Sequence, residues 1–272
     1  MIQLKPIHCP KVWGYEEWIA STHKDGCQNE FAAATGDYPL LVKIIQADDT
    51  LSVQVHPDDQ TAAALEGKNA RGKTECWYVL DAKDDAAIIH GLTNECTTEE
   101  LKEAITSNSL EGKMNRVRVK KGDFVFIPAG SIHAICGGLR LLEVQQNCNI
   151  TYRLYDWGRP RELHIEKALA SIKHIERAPI APLKDEFSCE YFTLQKKTVS
   201  GGYSFFVRKG EGKAKDWQLL FVASGTGTLH ATDSAGNQSE PVSFEKEQIF
   251  ALAPGEKITV EGKCEVIRII AP

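Results

Sequence analysis

Two histidines, a glutamate and a glutamine stand where strand geometry can aim them at one ion. In residues 51–59, LSVQVHPDD, side chains alternate with period two, so Ser52, Gln54 and His56 share a face and Val53 and Val55 take the other. A serine, an amide and an imidazole on one face suit a polar site better than an apolar core. In residues 72–81, GKTECWYVLD, Lys73, Glu75, Trp77 and Val79 share a face in the same way. In residues 122–133, GDFVFIPAGSIH, a short strand runs into a Pro-Ala-Gly turn that delivers His133 at the start of the next apolar run. Glu143, Gln145 and Asn147 alternate along a further strand. Two imidazole nitrogens with one or two oxygens suit a borderline divalent ion such as zinc, and the lack of a thiolate argues against a structural zinc site. Nickel, manganese and iron(II) fit the same donors, since two histidines and one carboxylate also make the non-haem iron triad.

The elements that must position these groups are mostly strands. Residues 40–47, LLVKIIQA, read as a buried strand. Asp58 or Asp59 caps a short helix that ends at Gly67, and Thr97 with Glu100 forms a capping box for a second. Ile165, Ala168, Leu169 and Ile172 have helical spacing, flanked by His164 and His174, which read as solvated. Trp13, Tyr15 and Trp18 suit an N-terminal arm packed on the core. Residues 179–185, within the proline-bearing stretch that begins at Glu176, read as a linker. Beyond it, short strands alternate with glycine-rich turns. Residues 246–258 echo the apolar run and Pro-Gly turn before His133, but Ile258 or Thr259 stands in the histidine's place.

Composition excludes several classes. The net charge of −5 lacks the basic footprint of a nucleic-acid or anionic-membrane partner, and no apolar run spans a bilayer. The eight cysteines are scattered singly and no export signal is seen, which reads as a cytoplasmic protein with free thiols.

The spacing Gly122, Pro128, Gly130, His133 resembles the second signature of the cupin β-barrels. The expected fold is therefore mainly β, with two cupin-like (jelly-roll) barrels and a few short helices between and around them. Residues 1–178 would form a catalytic barrel with an N-terminal arm and helical insertions, and 186–272 a second, metal-free one. More specifically, LSVQVHPDD, GKTECWYVLDA, GDFVFIPAGSIHAI and EVQQNCNITYRLYDWGR resemble, in order, the type I zinc-dependent mannose-6-phosphate isomerases of short bacterial form. The resemblance covers about residues 1–170. It implies Gln54, His56, Glu75 and His133 as ligands of one zinc ion per chain. It implies Arg153 as the active-site arginine, Ser52, Lys73 and Arg159 as substrate or phosphate contacts, and Glu143 as a pocket carboxylate. Asn149 departs from the family's usual aspartate, Ile135 from an aromatic and Arg159 from a lysine.

The implied reaction interconverts mannose 6-phosphate and fructose 6-phosphate through a cis-enediolate. Lys73 with a lowered pKa, Glu143 or a metal-bound hydroxide are each candidates for the base. The partner would be a small sugar phosphate, and the chain a monomer or small homo-oligomer. A cupin dioxygenase using iron(II) and a non-catalytic sugar-binding cupin compete with this reading. The cations Lys73, Arg153 and Arg159 near the metal set count against the dioxygenase.

Overall fold

The structure is a computed structural model that describes residues 1–107, 109–173, 179–211 and 214–272. His174 and residues 176–178 of the proline-bearing stretch lie outside the described residues. The chain is mainly β, with four short α-helices among the described residues. It divides into two compact units: Met1–Ile7 with Trp18–Val42 and Leu183–Pro272, and His8–Glu17 with Lys43–Pro182.

The second unit carries the candidate site on two sheets. A seven-stranded sheet runs in the order Ala181–Pro182, Asp123–Ile127, Glu75–Ala82, Leu139–Gln146, Leu40–Ala47, Gly14–Ala20, Ile7–Lys11. The unit boundary falls within Gly14–Ala20 and Leu40–Ala47. A five-stranded sheet runs Tyr152–Tyr155, Val53–Val55, His133–Ile135, Ala87–Leu92, Met114–Arg118. The mainly β, cupin-like fold expected from the sequence is found, built from sheets whose strand orders do not close on themselves. Ala181–Pro182, inside the stretch read as a linker, pairs with Phe124 and Asp123 and extends the larger sheet.

Period-two alternation splits the smaller sheet's side chains between two environments. Val53, Val55, Ile89 and Ala134 pack outward with Leu101, Ile105 and Ala168 from the helices Thr98–Thr106 and Ile165–Ser171. Ile88 and Ile135 pack inward against Trp77, Val79, Leu141 and Ile45 of the larger sheet, with Trp13 in the same cluster. The space between the sheets is therefore plugged with apolar side chains at one end, and the polar residues of the same strands collect beyond the plug.

Helix ends follow the local sequence. Asp58 accepts from Thr61 N–H ahead of Asp59–Glu66, and the Thr97–Glu100 capping box is complete. In the first unit, strands Gln218–Thr232, Lys257–Ile270 and Thr193–Phe206 lie side by side around a core containing Phe250, Val260 and Val266. Gly227 faces Gly262 there, and a Cβ on Gly227 would lie 2.0 Å from the Glu261 carbonyl oxygen, so only glycine permits this approach.

Candidate active site

Strand register brings the candidate residues into one row. Arg153 pairs with Gln54, Gln54 with His133, and His133 with His90 across four strands of the smaller sheet. Directly opposed residues share a face, so all four lie on the inward side with Ile135 and Ile88. On the facing sheet Gln145 pairs with Glu75 and Glu143 with Trp77. The turn before His133 is tied to this row: Gly130, at φ 91°, donates its N–H to the His56 carbonyl at 2.8 Å. Ser52 and His56 flank the observed strand Val53–Val55, and Lys73 precedes Glu75–Ala82.

His56, Glu75 and His133 each bring one ligand atom to within 4.8 Å of the others, and all three are buried. His133 Nε2 lies 3.3 Å from Glu75 Oε1, and His56 Nε2 lies 3.6 Å from Glu75 Oε2. Each imidazole is oriented from behind: Nδ1 of His56 donates to the Ile150 carbonyl and Nδ1 of His133 to the Ser131 carbonyl, both at 2.9 Å. That fixes the tautomer with Nε2 of each ring unprotonated and able to accept a hydrogen bond or bind a metal ion. Burial, then the Lys73 charge, holds His56 well below the ordinary histidine range and His133 down to about 3. Both rings are therefore neutral donors near pH 7.

The donor set fits a divalent cation. Glu75 Oε1 is buried with no hydrogen-bond partner, beside two nitrogens that present lone pairs. The Gln54 amide is 3.3 Å from His133 Nε2 and places a neutral fourth donor at the rim. The positive charge these groups collect comes in this structure from Lys73, whose ammonium donates to His56 Nε2 at 3.0 Å and to Glu75 Oε2.

Lys73 is not the weakened ammonium that the sequence reading allowed. Burial alone would lower its pKa, but Glu143 and Glu75 outweigh burial and raise it. It is a fixed positive charge. Burial, then Glu143, pushes the Glu75 carboxyl upward. Glu143 goes the other way. Burial would raise it, yet Lys73, Lys43 and the Trp77 indole hold it well below the carboxylate range, with Trp77 Nε1 donating to Oε2 at 2.9 Å. Two carboxylates on neighbouring positions of one sheet are thus driven apart in pKa.

Arg153 keeps one guanidinium contact, Nη1 to the Glu162 carbonyl at 2.7 Å, while its Nε is buried without a hydrogen-bond partner. Ser52 is buried, with its Oγ 3.4 Å from Gln54 Oε1. Arg159 is held elsewhere: its guanidinium donates to Asp156 Oδ1 and, at 2.6 Å, to the Thr50 carbonyl, and lies 3.4 Å from Asp49. These contacts hold it away from the imidazoles and Glu75.

Two inward residues were given no role by the sequence reading. Lys43, 3% exposed, lies 3.3 Å from Glu143 Oε1 and 3.7 Å from Glu16 Oε2. A lysine inside LLVKIIQA is the only local signal it offers. Gln145 Oε1 is buried without a hydrogen-bond partner on the strand position opposite Glu75. The alternation of Glu143, Gln145 and Asn147 was the signal for that face.

A family model for the catalytic domain of type I phosphomannose isomerase matches residues 14–74, a span that contains Gln54, His56 and Lys73. The chain is 42% identical over 244 residues to the probable mannose-6-phosphate isomerase GmuF of Bacillus subtilis (strain 168), covering 84% of this chain and 73% of that protein. It is 39% identical over 216 residues to the mannose-6-phosphate isomerase ManA of the same organism, covering 73% and 66%. Among solved structures, the mannose 6-phosphate isomerase from Bacillus subtilis aligns with a TM-score of 0.82 at 29% identity over 98% of both chains. A putative mannosephosphate isomerase from Archaeoglobus fulgidus shares the fold, with a TM-score of 0.78 at 20% identity over 99% and 97%.

Proposed function

This chain belongs to the type I mannose-6-phosphate isomerase family, and from that premise we propose that it interconverts D-mannose 6-phosphate and D-fructose 6-phosphate through a cis-enediolate. The single observation that carries the reading is the convergence of His56, Glu75 and His133 beside a fixed ammonium, Lys73, and a carboxylate kept ionised, Glu143.

His56, Glu75 and His133, with Gln54 as a weaker fourth, would hold one zinc ion. When bound, zinc supplies Lewis acidity toward the sugar's carbonyl and hydroxyl oxygens. The chain's own groups supply the rest. Glu143, ionised at neutral pH, takes the proton from one carbon and returns it to the other, and Lys73, protonated, holds a fixed positive charge beside it. Arg153, with an unpartnered Nε, offers donor capacity for the negative charge that develops in the enediolate, worth about 3 kcal/mol of barrier for one well-placed donor. Ser52 is assigned a sugar contact beside Gln54. The phosphate falls to Lys73 and Arg159, and Arg159 would serve it only by leaving Asp156 and Thr50.

Residues 186–272 are assigned a supporting role without a metal, because the histidine of the echo motif is replaced. The test is a coupled assay with mannose 6-phosphate on metal-stripped and zinc-restored protein. Turnover that is lost and then regained supports the reading. Stoichiometric metal without turnover would leave a sugar-binding protein in its place.

A further inference from the structure

Tyr152–Tyr155 is an edge strand of the smaller sheet, and Arg153 sits on it. Its pairing with Val53–Val55 shifts register between Arg153 and Tyr155, so the ladder alone does not fix the peptide units around Arg153. A segment nine to eleven residues further along the chain closes the open edge. The Arg153 N–H donates to His164 Nδ1 at 3.2 Å, and the His164 N–H donates to the Arg153 carbonyl at 2.8 Å. From the same segment the Glu162 carbonyl accepts from Arg153 Nη1 at 2.7 Å. Both backbone groups of Arg153 and one end of its guanidinium are therefore held by Glu162 and His164.

We propose that His164 is a positioning residue for the reaction, its side chain acting as an added strand partner that fixes the peptide unit from which Arg153 reaches the site. The inference rests on the reading of Arg153 as the group that holds developing charge. It replaces the solvated role that sequence alone gave His164. Burial and then the Arg153 charge lower its pKa, so the ring is neutral near pH 7 and Nδ1 remains an acceptor. The helix Ile165–Ser171 does not need this side chain, because His164 precedes it without a side-chain cap bond and its carbonyl accepts from Ala168 whatever residue stands there. Substitution therefore tests the ring acceptor and spares the backbone bonds.

The experiment compares His164→Ala, His164→Phe and His164→Asn in the zinc-loaded full chain by steady-state kinetics, with metal content and melting temperature alongside. Alanine and phenylalanine should lower kcat roughly fivefold to tenfold while KM stays within about twofold. Asparagine, whose amide oxygen can accept the Arg153 N–H, should recover most of the loss. Phenylalanine keeps the ring's bulk, so it reads the acceptor even if the alanine variant fails to fold. In an Arg153→Ala background, His164→Phe should change nothing further. The proposal is overturned if His164→Phe turns over like wild type, if asparagine does no better than phenylalanine, or if His164→Phe removes the same factor from Arg153→Ala as from wild type. Arg153→Ala with normal turnover would sink the reading of Arg153 itself. A large loss there with none in His164→Phe would sink only the role of His164.

Discussion

Replacing Lys43 with methionine tests whether the site depends on charge buried behind it. The substitution keeps an apolar stem and removes only the ammonium. At 3.3 Å from Glu143 and 3.7 Å from Glu16, each attraction is about 4–5 kcal/mol at an effective dielectric near 20, before desolvation is subtracted. Glu143 keeps its indole donor and the Lys73 charge, and Glu16 keeps Lys11 at 3.6 Å, so neither carboxylate is left bare. The expected loss is then about 3 kcal/mol, at the low end for breaking a buried pair. For a unit of this size that is a fall in melting temperature of about 6–12 °C. Calorimetry on Lys43→Met, Glu143→Gln and the double variant isolates the pair. The double variant should be less destabilised than the sum of the singles by about 1–3 kcal/mol. Strict additivity, or a Lys43→Met protein melting within about a degree of wild type, would refute the buried network.

Three further outcomes are expected. His56→Ala and His133→Ala should each abolish stoichiometric metal by elemental analysis, and retention of one ion per chain in both would contradict the ligand set. Arg153→Ala should lower kcat on the order of a hundredfold with a smaller change in KM and unchanged zinc content. Near-normal kcat would remove Arg153 from the reaction. Asp156, which burial would push up, is held below its ordinary range by Arg161 and Arg159, so its contribution to stability is complete above about pH 4 and is lost as pH falls through its folded value. Urea titrations should show Asp156→Asn less stable than wild type at neutral pH, with the difference narrowing towards pH 3. A difference that does not change with pH would contradict the depressed pKa.

Much of the site was legible because strand alternation is local. The period of two put Ser52, Gln54 and His56 on one side, and the Pro-Gly turn delivered His133. Those residues needed no partner to be recognised. The row Arg153–Gln54–His133–His90 was not legible, since it depends on a strand order in which residues 152–155 lie beside 53–55 and 133–135 lie beside both 53–55 and 87–92. Lys43 was invisible for the same reason: its partners are 100 residues later and 27 earlier, and only the folded sheet brings them together. His164 was read as solvated because helical spacing puts it outside the apolar stripe. Its partner is a backbone group, and backbone groups leave no mark in a sequence. The cupin-like fold was legible from motif resemblance, whereas the strand orders reflect register that the motif does not encode.

The buried charges also explain why an apolar interior tolerates this site. Lys11 pairs with Glu16 near the surface, Glu16 with Lys43, Lys43 with Glu143, and Lys73 with Glu75 while its charge is also felt by Glu143. Sign alternates at each step from the edge of the larger sheet to the two imidazoles. Each buried ion thus has a neighbour of opposite charge on either side, which offsets a desolvation cost that no isolated pair would meet as well. The series ends on Glu75, whose Oε1 has no hydrogen-bond partner and whose remaining neighbours are neutral nitrogens. The next charge in the alternation has to be positive and has to accept nitrogen and oxygen donors together. A divalent metal ion meets both conditions.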